Sequence, residues 1–128
     1  MSIPSWRTLC VFITLLTAGC AFPPLQGSPG GYSAGQSLLE QGVSHYEEGH
    51  YPIAARRLRY ALEEGLDIAN RVKAHKFLAF IACVSGQPMS CREEFDIALD
   101  LDPKFSLDDA EAGHPIWGPI FKAVKNKK

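Results

Sequence analysis

The chain has 128 residues, with 13 Lys and Arg against 14 Asp and Glu, a formal net charge of −1 and a pI near 6.4. That balance argues against a nucleic-acid binder, whose binding domain normally carries a basic excess. Hydrophobic residues at 46% and charged residues at 21% are globular values, so disorder throughout is excluded as well.

Met1 to Arg7 forms a short positive leader, and Thr8 to Ala18 is an uncharged apolar run. The run suits a signal peptide and falls short of the ~20 apolar residues that a membrane span needs. It ends in Leu16-Thr17-Ala18-Gly19-Cys20, which resembles the lipobox of bacterial lipoproteins, with Thr17 where Leu is commoner. The resemblance implies cleavage of residues 1–19 and lipidation of Cys20, palmitate included, with three chains holding the protein permanently to the membrane. Ala21 after that Cys implies the outer membrane, with the protein facing the periplasm. A plain cleaved signal or a short buried helix is the alternative.

Residues 20–35 read as the lipidated Cys followed by a tether. From Ala21 to Gly35 there are three Pro and four Gly, no charge and no period. As a coil this stretch would span about 20 Å, and fully extended about 50 Å.

Residues 36–128 read as one all-α domain. Leu38, Gly42 and His45, then Ala54, Leu58, Ala61 and Leu62, recur at three- and four-residue spacings, divided at Gly49. His75, Leu78, Ala79 and Ala82, a break at Gly86, then Cys91, Phe95, Ala98 and Leu99 repeat the plan. Both units resemble the tetratricopeptide pattern, and Ala54 and Cys91 lie 37 positions apart. Small residues are needed at Gly42, Ala54, Ala79 and Cys91, where the helices of each pair approach closely. Neither unit has the pattern's Trp or Tyr, and Gln41 and His45 are polar residues at positions expected to face inward.

Two repeats are fewer than the three that usually bury a continuous core, so the remaining chain should cap the stack. Ser106 is the expected N-cap of a short helix through Leu107–Ala112, ended by Gly113. After Pro115 a last apolar stripe of Ile116, Trp117, Ile120, Phe121 and Val124 forms a capping helix. Trp117 is expected against the second repeat near Phe95 and Leu99; the alternative keeps it exposed as a partner anchor.

Catalytic and metal-binding patterns are sparse. The four His are His45, His50, His75 and His114; no pair has the i, i+4 spacing of a helical metal site, and neither HExxH nor CxxC occurs. His45 and His75 read as hydrogen-bonded core residues, and His114 as a turn former. Glu63-Glu64 and Glu93-Glu94 read as solvated. No catalytic residue, metal ligand or cofactor is assigned. Cys83 and Cys91 sit four residues either side of Gln87, roughly opposite in the hairpin. In an oxidising periplasm a disulfide is favoured, with two buried small residues or a redox pair as the other readings.

Tetratricopeptide arrays present the first helix of each pair to a groove that takes a peptide or a helix. The groove positions here are Leu39, Val43 and Tyr46, then Lys73, Lys76 and Phe80, with Trp117 as a further contact. Of the carboxylate clamp that the family uses, only Lys73 and Lys76 are represented. The groove is either a docking site or filled by the chain's own tail.

The lipobox, the Pro-rich tether, the two repeats, the segment AHKFLAFIACVSGQPMSCREEFDIALDLDP and the ending EAGHPIWGPIFKAVK together look like the TssQ family of type VI secretion-associated lipoproteins. The string Glu111 to Pro119 is the most specific part. The resemblance implies an accessory or scaffold protein of a secretion machine in the cell envelope, with protein partners, a membrane contact through its lipid and no reaction of its own. A pilotin-like lipoprotein for a secretin or type IV pilus, or a periplasmic thiol redox protein using Cys83 and Cys91, is the alternative.

Overall fold

The computed structural model describes residues 33–128. The signal peptide, Cys20 and nearly all of the tether lie outside the described residues. Ser33 starts the first helix: its hydroxyl accepts the Gln36 backbone N–H, so helix α1 (Ala34–Glu47) begins two residues before the boundary expected from composition. Gly49, at φ +79°, then turns the chain into α2 (Tyr51–Glu64), whose Pro52 suits the first turn of a helix. Asp67 caps α3 (Ile68–Val84) through the Asn70 backbone N–H at 2.8 Å. Gly86, at φ +73°, repeats the earlier turn, and Pro88 opens α4 (Pro88–Leu101). Two short helices follow, α5 (Asp109–Ala112) and α6 (Trp117–Lys125).

The architecture is all-α: two tetratricopeptide-like helical hairpins closed by a C-terminal helix. Close approach within the hairpins explains the small residues. Ala54, Ala79 and Cys91 have no exposed surface, and a Cβ added at Gly42 would stand 2.7 Å from Leu58 Cγ. The central helix α3 packs against α1, α2, α4 and α6. Val72, Ala74, Leu78, Phe80 and Ile81 are buried on different sides of it, and its C-terminal half from residue 77 to 84 is apolar all round. Cys83 and Cys91 are joined by a disulfide with Cα atoms 5.1 Å apart, and both lie in the core. Tyr46 and Phe77 lie where the packing of the first hairpin meets that of the second.

Four expectations are corrected. The inward stripe of α1 runs through Gly35, Leu39 and Gly42, which are buried, so Leu39 belongs to the core and not to the groove. Gln41 is exposed, because it lies off that stripe. The N-cap of α5 is Asp108: its carboxylate accepts the Glu111 N–H at 2.7 Å while Glu111 reaches back to the Asp108 N–H, a capping box that Ser106 cannot make. Ile116 is 46% exposed, since it precedes the first turn of α6 and points off the Trp117, Phe121 and Val124 stripe.

Candidate functional site

The face of α1 and α3 expected to receive a partner is closed over α3 by the chain itself. Phe80 is buried and stacks on Trp117, with ring centroids 4.3 Å apart and planes 22° apart. His114 covers Trp117 in turn, with centroids 3.3 Å apart and the rings nearly parallel. The indole Nε1 donates to the Glu111 carbonyl oxygen at 2.8 Å, so the polar edge of the ring is satisfied. Gly118 allows this fold-back, because any Cβ there would overlap the Ala112 carbonyl oxygen. Trp117 therefore packs on Phe80 of α3 within the buried cluster that also holds Phe95 and Leu99 of α4, and it is 8% exposed, which removes it as an exposed anchor. Phe121 takes the place against Phe95, centroids 5.1 Å apart.

Lys76 belongs to the same closure. Its Nζ lies 2.6 Å from Glu111 Oε1, with both side chains about four-fifths buried, and it sits over the Phe77 and Phe80 rings at 5.1 and 5.7 Å. Glu111 thus caps α5, binds Lys76 and holds Trp117, and Lys76 is not free to clamp a peptide carboxylate. Of the groove positions, Lys73 is exposed and Val43 and Tyr46 are half-buried. Tyr46 lies edge-on to Phe77 at 5.0 Å and near Tyr51 and Phe80. Burial pushes its phenol above the ordinary value, with smaller contributions from Tyr51 and Glu111. The structure therefore separates the expected set. Leu39, Phe80 and Trp117 are interior, Lys76 is paired, and Val43, Tyr46 and Lys73 remain at the surface.

The histidines divide as well. His75 Nδ1 is hydrogen-bonded to Glu94 Oε2 at 2.7 Å, both side chains mostly buried, so Glu94 is not solvated as its position suggested. His114 Nδ1 accepts the Ile116 N–H at 3.2 Å and shapes the turn. His45 and His50 instead converge on Glu48, a grouping that a search for i, i+4 pairs passes over. The signal was H-x-x-E-x-H around Gly49, since a helix that ends in a tight turn brings the residue beyond it back beside the last helical turn.

No family model matches the chain, and neither the curated proteins nor the solved structures contain a match to it. Among the described residues, no helix is long and apolar enough to cross a membrane.

Proposed function

We propose that this protein is a lipid-anchored adapter of the Gram-negative outer membrane that serves a type VI secretion system through protein–protein contact. The observation that carries the reading is the packing of residues 111–118, where the resemblance is most specific. Glu111, His114, Trp117 and Gly118 each hold a defined contact in one interlocked cap. A string needed in this detail closes the array at two repeats and leaves a small rigid body for a partner to grip. The surface available to that partner is Val43, Tyr46 and Lys73, with Ile53 and Tyr60 on α2 and Met89 and Ile97 on α4, all four of them exposed. The thiol-redox alternative has less support, because both cysteines of the Cys83–Cys91 bridge lie in the core, whereas a reactive pair sits partly exposed.

Deletion of the gene, scored by sheath contraction and effector release, tests the reading. Release should fall, recover with the wild-type chain, and fail to recover with Cys20→Ser, which should also lose palmitate labelling and leave the outer-membrane fraction. Intact effector release together with failed secretin or pilus assembly would replace this reading with the pilotin one.

A further inference from the structure

We infer that His45, Glu48 and His50 form a binding site for one divalent transition-metal ion, of the zinc class. Glu48 Oε2 lies 3.1 Å from His50 Nδ1 and 3.5 Å from His45 Nδ1, and the three ligand atoms all lie within 4.8 Å of one another. A tetrahedral ion with bonds of 2.0–2.1 Å sets its ligand atoms about 3.3 Å apart, so small side-chain rotations bring this trio to coordination distance. Two imidazoles and a carboxylate are a zinc donor set, and three protein ligands leave the fourth position to water.

Two further features favour a cation here. His45 Nδ1 is sealed from solvent and has no hydrogen-bond partner, so it offers an unused lone pair or a costly orphan proton. Ser44 Oγ donates to Glu48 Oε1 at 3.2 Å, which holds the carboxylate and leaves Oε2 turned to the imidazoles, an outer-shell arrangement usual around metal ligands.

The backbone holds the site ready. His50 N donates to the His45 carbonyl at 2.8 Å and Gly49 N to that of Tyr46 at 3.0 Å, which locks residues 45 and 50 on either side of the turn. The second hairpin makes the same turn: Gln87 N donates to Ala82 O and Gly86 N to Cys83 O. At the positions of His45, Glu48 and His50 it carries Ala82, Ser85 and Gln87. The turn itself therefore requires none of the three ligands, and their presence in only one copy calls for a reason besides folding.

The test uses the full-length, untagged chain in detergent, stripped of metal and then titrated with ZnCl2 by calorimetry and with Co²⁺ by absorbance. One ion should bind per chain, Co²⁺ should show tetrahedral d–d bands without thiolate charge-transfer bands, and Zn²⁺ should raise the melting temperature. His50→Ala and Glu48→Gln, both exposed positions, should abolish these effects while circular dichroism stays helical. Ser44→Ala should weaken binding about tenfold, and His75→Ala should leave it unchanged. Absence of saturable binding would overturn the site. So would equal affinity in His50→Ala or Glu48→Gln, or a thiolate spectrum placing the ion on Cys10 or Cys20.

Discussion

In the first hairpin Tyr46 and Ala54 hold the positions that Cys83 and Cys91 hold in the second, where they are covalently joined. Gly42 lets α1 lie against Leu58, and its counterpart Ala79 stands opposite the larger Phe95. The second hairpin also receives α6, with Trp117 on Phe80 and Phe121 on Phe95, while no segment of the described chain covers the first in that way. One backbone plan is thus closed by two kinds of chemistry. Close approach of small residues leaves no slack for a larger side chain. The second hairpin keeps small Ala79 and Cys91 at its close contacts but adds a local staple and an aromatic cap, and the cap depends on a distant segment staying docked.

The largest way to break this contrast is Trp117→Ala. Losing a buried indole should cost about 3–5 kcal/mol, and hydrogen exchange should show α3, α4 and α6 losing protection before α1 and α2. Equal loss in both hairpins would mean that they are not held separately. Next is the staple: reduction, or the Cys83→Ser and Cys91→Ser pair, releases a loop closed by residues eight apart and should cost about 2.5 kcal/mol in urea unfolding. An unchanged midpoint would leave the bridge without a stabilising role.

Gly42→Ala probes the first hairpin. Its new Cβ meets the branch carbon of the fully buried Leu58 side chain at 2.7 Å and the Leu58 backbone nitrogen at 3.2 Å, and the expected cost is about 1–3 kcal/mol by thermal denaturation. A neutral result would show that Leu58 swings aside and that close approach is not what holds this pair.

Smallest is the alkaline limb at the junction of the two hairpins. Burial foremost, then Tyr51 and Glu111, raises the Tyr46 phenol, so the folded state holds that proton more tightly than the unfolded chain. Its contribution is complete below the ordinary tyrosine value of about 10 and is lost as pH rises through the higher folded value. Unfolding midpoints should therefore fall above about pH 10, and Tyr46→Phe should flatten the fall.

Much of the fold could be read from spacing, because Gly49 and Gly86 mark both turns and the small residues mark the helix contacts. What slipped was the face of α1. Leu38 and Leu39 are adjacent, so the stripe could take either, and Gly35, which decides for Leu39, lay inside the Pro- and Gly-rich stretch read as tether. The α6 stripe is legible, and Trp117 does join Phe95 and Leu99 in the core, yet periodicity carries no information on which ring it stacks against, which is Phe80 of α3. Spacing gives no sign of the Glu111–Lys76 bond, since it spans 35 residues of chain. The proposed cation site escaped because its ligands straddle a helix end, where helical spacing no longer applies.

The docked tail has a thermodynamic consequence for any peptide that would use the α3 half of the groove. Such a ligand competes with a segment already attached to the same molecule, and it binds only the fraction of chains in which that segment has lifted off. If holding the Trp117 cap on Phe80 is worth about 3 kcal/mol, that fraction is below about 1%. A peptide of micromolar intrinsic affinity would then register at only about 100 µM or weaker. Whatever loosens the cap, even by acting only on Glu111 or His114, would therefore tighten such binding more than a hundredfold without touching a single groove contact.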